Sequence, residues 1–272
     1  MTRKIYIDFH RKESQYNTIW WRFIQIMELK ILTNEEINEE IANEIVDLIN
    51  KKPNAVLGLA TGSSPVGVYK ELIKKYQDKK VSFKYVKTYN LDEYIGLTKN
   101  NEQSYYYFMC HNLFNYIDIN MNNIHLPDGI NYKDSIANYE KSIAKDGGID
   151  YQILGIGSNG HIAFNEPGTP FDSHVHKVQL KESTRIDNSH FFKSIDEVPT
   201  SAITMGLKSI LSSKRIILIA TGIHKAEAIK HLFEGKEDIN WPATILNRHN
   251  NVTIYCDEQA ASLLKEENKL KV

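Results

Sequence analysis

Apolar residues follow two spacings along the chain, and the two spacings alternate. Between residues 34 and 50, apolar side chains recur at the spacing of one helix face. Short continuous apolar runs, such as residues 151–156, are typical of buried strands. The predicted strands occupy residues 55–60, 84–90, 151–156, 215–220 and 252–255.

Helical spacing returns after most of these runs. Thr33 or Asn34 can cap the first helix, and Pro53 follows its end. The other predicted helices occupy residues 65–73, 103–114, 135–144, a segment through 226–232, and the stretch from the last strand to residue 264. Strands that alternate with helices form parallel sheets covered on both faces. The pattern predicts a single-domain, three-layer, Rossmann-like α/β fold with a mostly parallel central sheet.

Four polar segments lie directly after predicted strands. They are residues 61–64, 92–94, 157–166 and 221–225. In open parallel sheets, ligands bind beyond the carboxyl ends of the strands. We therefore expect the chemistry of the protein at this edge.

The first segment reads Thr61-Gly62-Ser63-Ser64 and is followed by Pro65. It places hydroxyl groups and backbone N–H groups at a predicted helix N-terminus, which favours an anion such as phosphate. A Gly-Lys-Ser/Thr sequence is missing, so this is not a Walker loop. The alternative is an ordinary strand-to-helix turn in which Ser64 caps the helix.

Residues 155–160 match the dinucleotide-binding pattern GxGxxG, but Pro167 and Gly168 end any following helix within two turns. We reject a nicotinamide or flavin site on that ground. The same turn carries His161 and Glu166, which can form an acid/base pair. Asn159 can fix the imidazole tautomer by a hydrogen bond. A structural role for His161 stays the alternative.

Two acids and two cations complete the candidate chemistry. Asp92 and Glu93 are adjacent in an extended segment, so only one of them can face the cleft. Lys225, at the start of a predicted helix, and Arg185, on a predicted loop, can bind a phosphate. The alternative for Arg185 is a surface salt bridge.

The cysteines and two histidines give no metal or redox signal. Cys110 and Cys256 are too few for a disulfide framework and form no CxxC, which favours a reducing cytoplasm. His174 and His176 lack partners at zinc-site spacing and are interpreted as loop residues. We expect no metal and no cofactor.

Composition narrows the class of protein. The 272 residues are 42% hydrophobic and 25% charged, as in soluble globular proteins. A net charge of −1 provides no field for nucleic acid, and no apolar run is long enough to span a membrane. Residues 1–26 carry a net charge of +3 and the rest −4. We interpret residues 1–26 as an extension or a misassigned start before Met27, with a partner-binding arm as the alternative.

Several segments, in this order, resemble the glucosamine/galactosamine-6-phosphate isomerase family, which includes the glucosamine-6-phosphate deaminases. The resemblance covers residues 27–272 and leaves out residues 1–26. Its most specific motifs are Asn-Leu-Asp-Glu-Tyr at 90–94 and His-Ile-Ala-Phe-Asn-Glu-Pro at 161–167. Supporting motifs lie at 57–65, 103–106, 155–160, 184–189 and 222–226.

The resemblance implies that glucosamine 6-phosphate and water give fructose 6-phosphate and ammonia. It implies that His161 opens the sugar ring, that Glu166 and Asn159 orient and tune His161, and that Asp92 moves a proton from C2 to C1. It also implies phosphate contacts from residues 61–64, Arg185 and Lys225. Such chemistry needs two acid/base groups and no redox cofactor or metal.

Two departures from the family pattern matter. Asn159 stands where some members have Asp, which predicts a less basic His161. Residues 168–177 hold fewer cations than the corresponding stretch of the members activated by N-acetylglucosamine 6-phosphate. We therefore expect weak or no activation by that ligand, and the assembly of this chain into a homo-oligomer stays open.

Two other functions were weighed against the deaminase. A 6-phosphogluconolactonase-like enzyme would share the Gly-His turn and the phosphate loop but would not need the motif at residues 90–94. A sugar-phosphate-sensing module would tolerate loss of Asp92, His161 and Glu166 and would carry a DNA-binding domain. All three residues are present, which favours the deaminase.

Overall fold

The computed structural model describes residues 27–189, 192–234 and 236–264. The interpretation of residues 1–26 falls outside this range. Among the described residues, no helix is both long and apolar enough to cross a membrane.

A seven-stranded sheet, parallel at every strand pair, forms the centre of the fold and confirms the predicted class. Its strands are β1 (Met27–Ile31), β2 (Val56–Leu59), β3 (Lys87–Asn90), β5 (Ile124–His125), β6 (Tyr151–Gly155), β9 (Ile216–Ala220) and β10 (Val252–Cys256). Their spatial order is β1-β10-β9-β6-β2-β3-β5. From β2 the chain adds β3 and β5 on one side, and from β6 it adds β9 and β10 on the other side. The strand order therefore reverses between β2 and β6.

Seven helices connect the strands in the described part of the chain. They are α1 (Asn34–Lys51), α2 (Val66–Gln77), α3 (Tyr105–Asn112), α4 (Tyr132–Lys145), α5 (Glu182–Asn188), α6 (Leu207–Leu211) and α7 (Ala226–Phe233). The start of α1 follows directly from sequence. Thr33 accepts the Glu36 N–H, and Glu36 accepts the Thr33 N–H, which forms a capping box.

A second, three-stranded antiparallel sheet was not predicted. It contains β4 (Asp92–Tyr94), β7 (His176–Gln179) and β8 (Ser201–Thr204), in the order β4-β8-β7. These strands are short and partly polar, so they lack the apolar runs that reveal the strands of the larger sheet. The small sheet matters because β4 carries Asp92 beside the carboxyl edge of the large sheet.

The core lies on the middle strands of the large sheet. Every residue of β9 and β10 is buried, which explains why β9 is a continuous apolar run and β10 is apolar except for Thr253. The apolar face of α1 packs on the same core through Ile37, Ile41 and Ile45.

Several sequence predictions were wrong in detail. No helix follows β10 up to residue 264, where the description ends. Turns occupy residues 258–263 instead, because Asp257 accepts the Ala260 N–H and bonds three residues apart close the later turns. The third strand begins at Lys87 rather than residue 84, and β1 was missed. Helix α3 is shorter than predicted, and a 3₁₀ turn at Phe114–Tyr116 follows it.

Candidate active site

A pocket opens at the carboxyl edge of the large sheet, where the strand order reverses between β2 and β6. Its cavity has a volume of about 390 Å³. This is the place where open α/β sheets bind ligands. Seven of the ten predicted site residues line it: Thr61, Gly62, Ser63, Ser64, Asp92, His161 and Lys225.

The loop after β2 presents the start of helix α2 to the pocket. Gly62 has a φ of +85°, a conformation that favours glycine. Pro65 occupies the N-cap position, and no side chain caps the helix, so the alternative reading of Ser64 as a cap is wrong. An uncapped N-terminus leaves N–H groups and the positive end of the helix dipole for an anion.

Asp92 and Glu93 face opposite ways, as predicted. Asp92 lines the pocket, whereas Glu93 turns towards the start of α3. The Glu93 carboxylate accepts backbone N–H groups from Tyr94 at 2.9 Å, Tyr105 at 3.0 Å and Tyr106 at 3.1 Å. Glu93 therefore fixes α3, a wall of the pocket, to the strand that carries Asp92.

Both carboxyl groups are buried, and burial dominates their titration. Burial raises the pKa of Asp92 to about 8, and the negative charge of Glu93 adds to the rise. Burial raises the pKa of Glu93 to about 7, although the three N–H groups oppose the rise. A carboxyl group with a pKa near neutrality can both accept and return a proton.

His161 lies in a chain of hydrogen bonds with Asn159 and Glu166. Asn159 Oδ1 is 2.7 Å from His161 Nδ1, and Asn159 Nδ2 donates to Glu166 Oε2 at 2.9 Å. Because a carboxylate only accepts, the second bond fixes the orientation of the amide. Nδ1 of His161 therefore carries a proton, and the neutral ring accepts at Nε2.

Glu166 has a second partner. The Thr184 hydroxyl donates to Glu166 Oε1 in a short hydrogen bond. Glu166 lies 4.0 Å from the His161 ring nitrogen, so Asn159 mediates the link between them. Thr184 was not predicted as a site residue, although residue 184 begins one of the motifs that carry the family resemblance.

Local backbone geometry holds the His161 turn. A side chain at Gly157 would collide with the imidazole of His161, so only glycine fits there. Ala163, which also lines the pocket, has a φ of +52°, a costly conformation for a residue with a side chain. Such strain is typical of functional turns.

The two predicted cations differ in position. Lys225 lines the pocket at the start of α7. Arg185 belongs to α5 rather than to a loop, and its guanidinium donates to the backbone carbonyls of Ile195 at 2.8 Å and Val198 at 3.2 Å. It is not among the described residues that line the pocket. Its role with phosphate stays a prediction.

An aromatic wall closes the other side of the pocket and was not predicted. Tyr94, Tyr105, Phe164 and Phe192 form a cluster with ring centroids 4.9–6.0 Å apart, and all four line the pocket. The run of aromatic residues at 105–108 is visible in the sequence. That run could have indicated a wall, but nothing in it shows which rings face a ligand.

The two histidines interpreted as loop residues have defined places. His174 Nδ1 lies 2.9 Å from Glu140 Oε2, and His176 begins β7. The loop interpretation is therefore wrong for His176, because a polar edge strand has no apolar pattern to reveal it.

The fold and the pocket define an α/β enzyme with acid/base side chains at the carboxyl edge of a parallel sheet. Its family follows from sequence comparison. The chain belongs to the family of glucosamine-6-phosphate isomerases/6-phosphogluconolactonase, whose sequence model matches residues 32–255. The resemblance drawn from the motifs is thus confirmed.

Individual relatives agree with this assignment. A glucosamine-6-phosphate deaminase from Mycoplasma mycoides subsp. mycoides SC is 56% identical over 239 residues, which cover 88% of this chain and 98% of the relative. One from Clostridium botulinum (strain Langeland) is 50% identical over 233 residues, covering 85% and 96%.

Solved structures show the same architecture. A structure described as a monomeric glucosamine-6-phosphate deaminase is 44% identical, with a TM-score of 0.85, and covers 87% of this chain and 100% of its own. A 6-phosphogluconolactonase from Thermotoga maritima is 20% identical, with a TM-score of 0.67, and covers 84% and 98%. The second likeness shows the fold alone.

Proposed function

We propose that this chain is a glucosamine-6-phosphate deaminase, which converts glucosamine 6-phosphate and water into fructose 6-phosphate and ammonia. One observation carries the proposal: Asp92 and His161, the latter hydrogen-bonded through Asn159 to Glu166, line one pocket beside an uncapped helix N-terminus. The relatives at 50–56% identity that bear this name support it.

Ring opening is the first step and belongs to His161. The neutral imidazole takes the proton from the O1 hydroxyl and returns a proton to the ring oxygen O5. The bond between C1 and O5 breaks, and C1 becomes an aldehyde. Asn159 and Glu166 keep the acceptor nitrogen of His161 in the pocket and stabilise the ring while it carries a second proton.

Isomerisation is the second step and belongs to Asp92. Its carboxylate takes the proton from C2 while the ammonium group of the substrate passes a proton to O1, which gives a neutral enolamine. The resulting acid returns its proton to C1, which leaves an iminium group at C2. Water then adds to C2 and gives a proton to the nitrogen, and ammonia leaves as C2 becomes a ketone. A pKa raised to about 8 makes the Asp92 carboxylate a stronger base than an ordinary aspartate, and its acid can still return a proton near neutral pH.

The phosphate supplies binding energy away from the reacting atoms. Residues 61–64 and Lys225 line the same pocket as Asp92 and His161, so a phosphate held there positions C1 and C2. Arg185 joins them once it leaves the carbonyls of Ile195 and Val198. Substrate capture thus relies on local donors, since the chain outside residues 1–26 is acidic overall.

The location of the protein forms part of the proposal. Cys110 and Cys256 are both buried free thiols, as suits an enzyme of a reducing cytoplasm. No metal is required by the proposed steps.

The test measures ammonia and fructose 6-phosphate released from glucosamine 6-phosphate by the purified chain, with and without a chelator. Equal amounts of both products are expected, and the chelator should have no effect. Asp172→Asn, at an exposed carboxylate outside the pocket, serves as the control for Asp92→Asn. Hydrolysis of 6-phosphogluconolactone without release of ammonia would instead support the lactonase alternative.

A further inference from the structure

The turn that carries Asn159, His161 and Glu166 is hydrogen-bonded through its backbone to a segment more than 70 residues later in the chain. Gly160 O accepts the Ala243 N–H at 2.8 Å, and the Gly168 N–H donates to Ile239 O at 2.8 Å. Both ends of the turn are therefore tied to residues 238–244, which we call the brace. None of the sequence motifs that indicated the site includes the brace.

Trp241 is the centre of the brace. A methyl group on Gly160 would lie 2.7 Å from Trp241 Cε3 and 3.3 Å from its Cα, so the tryptophan packs directly on the backbone before His161. Gly160 has a φ of +78°, which bends the chain so that this contact can form.

The brace is stiff because of its own hydrogen bonds. The Thr244 hydroxyl accepts the Asp238 N–H at 2.9 Å and donates to Trp241 O at 2.7 Å. The Trp241 N–H donates to Asp238 O at 2.8 Å. Because of these internal hydrogen bonds the brace moves as a unit, so a displacement at one end displaces the other end as well.

Trp241 also contacts helix α7, which begins directly after Lys225, a predicted phosphate ligand. The indole stacks on His231 of α7, with ring centroids 4.0 Å apart and planes 19° apart. Asn247 Nδ2, just beyond the brace, donates to Leu232 O of the same helix at 3.1 Å. Helix α7 starts directly after Lys225. A continuous path of contacts thus runs from Lys225 through His231 and Trp241 to Gly160.

From this path we propose that Trp241 is a positioning residue that sets the place of the His161 imidazole relative to the helix that holds the phosphate. The inference rests on the proposed function, in which His161 and Lys225 bind two ends of one substrate. Ring opening requires the imidazole to reach O1 and O5 while the phosphate stays fixed, and small displacements of such a group cost about 10²-fold in rate.

The first experiment separates kcat from KM. Trp241→Ala removes the indole that packs on the Gly160 backbone but leaves residues 61–64 and Lys225 in place. We expect kcat to fall about 10- to 100-fold and KM to change less than about 3-fold. Trp241→Phe, whose ring can still cover Gly160 and stack on His231, should recover most of kcat. Unchanged kcat with a raised KM would overturn the proposal.

A loss of general stability must be distinguished from a loss of position. Phe83→Leu shrinks a buried side chain away from the pocket and provides a variant that is destabilised by packing alone. When Phe83→Leu and Trp241→Ala are compared at the same folded fraction, as determined by urea titration, Phe83→Leu should keep the kcat of the parent. If Phe83→Leu and Trp241→Ala lose kcat equally, Trp241 has only a structural role and the proposal fails.

A double-mutant cycle tests the path through His231. His231→Ala should lower kcat in the native background and have little further effect in the Trp241→Ala background, since both act through one stack. Independent, additive losses would show that the helix and the turn are not linked through Trp241.

A last measurement does not depend on the reaction. In ¹⁵N-histidine-labelled protein, the Nδ1–H signal of His161, assigned with His161→Gln, should be slow to exchange because Asn159 accepts it. Trp241→Ala should broaden or remove this signal. A signal unchanged in Trp241→Ala would overturn the proposal even if the wild-type chain deaminates. Absence of deamination with the signal altered would refute the proposed function and leave the positioning intact.

Discussion

Asn159 Oδ1 lies 2.7 Å from Nδ1 of His161, and the same amide donates to Glu166. A neutral side chain therefore links the imidazole that we propose for proton transfer to a buried carboxylate. This arrangement fixes the tautomer of His161 without placing a charge in direct contact with the ring.

Loss of this amide should impair ring opening. Asn159→Ala removes the acceptor of the His161 Nδ1–H, so the ring can rotate or change tautomer. We expect kcat to fall about 10²-fold, within the range of a lost acid/base contribution. Initial-rate kinetics with glucosamine 6-phosphate check this, and kcat within 2-fold of the parent would contradict the role of Asn159 (a threshold of about 0.4 kcal/mol).

Replacing Asp92 should abolish isomerisation while leaving binding intact. Asp92→Asn cannot take the C2 proton, so we expect ammonia release to fall about 10²- to 10⁴-fold. Exchange of the C2 proton with solvent deuterium should stop as well. Calorimetry with fructose 6-phosphate should still show binding, and an exchange rate equal to that of the parent would refute the assignment.

The same substitution should stabilise the protein at high pH. Asp92 has a folded pKa of about 8 against an ordinary value of 3.8, so between these pH values the folded state binds more protons than the unfolded state. Its contribution to stability is complete below about pH 4 and is lost as pH rises to 8, with a slope of at most about 1.4 kcal/mol per pH unit.

Asn at position 92 does not titrate, so Asp92→Asn should gain stability over the parent as pH rises. Urea unfolding at pH 5 and pH 8 measures the difference in the free energy of unfolding between the two proteins. If Asp92→Asn gains no stability relative to the parent between pH 5 and pH 8, the Asp92 pKa is not raised in the folded state.

Glu93 should tune Asp92 through its charge. The negative charge of Glu93 contributes to the raised pKa of Asp92, so Glu93→Gln should lower that pKa. The limb of the rate profile on which Asp92 loses its proton should move to lower pH. Glu93→Gln should also destabilise the chain by about 1–3 kcal/mol, because one of the acceptors for the α3 N–H groups is lost. A profile that does not move would limit Glu93 to the structural role.

Arg185 provides a test of the phosphate site. If its guanidinium leaves the carbonyls of Ile195 and Val198 to bind phosphate, Arg185→Ala should raise KM for glucosamine 6-phosphate about 10-fold or more, as loss of a charge-assisted bond does. Competition by inorganic phosphate should weaken in parallel. An unchanged KM would limit Arg185 to a structural role, in which it holds residues 195–198 through hydrogen bonds to their carbonyls.

The large sheet and its edge could be predicted because their signals are local. The buried strand β9 is a continuous apolar run and β6 and β10 are mainly apolar, and residues 61–64 and 157–166 follow strands directly. The opposite directions of Asp92 and Glu93 follow from strand geometry alone. Each of these inferences needs only a few neighbouring residues.

The parts that were missed depend on contacts between distant residues. The small sheet joins β4 to β8 over more than a hundred residues, and its strands are too short to show a pattern. Thr184 reaches Glu166 only after folding, as Trp241 reaches Gly160. The direction of the Arg185 side chain depends on the carbonyls it meets, which no spacing encodes.

The two groups that we propose for proton transfer lie on different sheets. Asp92 belongs to the small antiparallel sheet, and His161 follows a strand of the large parallel one. The two proposed half-reactions therefore depend on different strands, and the two sheets meet where the Phe164 N–H donates to the Thr204 hydroxyl of β8. On the proposed roles, a chain altered only at Asp92 would keep the anomer-interconverting half: it would still equilibrate the α and β forms of its sugar phosphate, as an enzyme that opens and recloses rings.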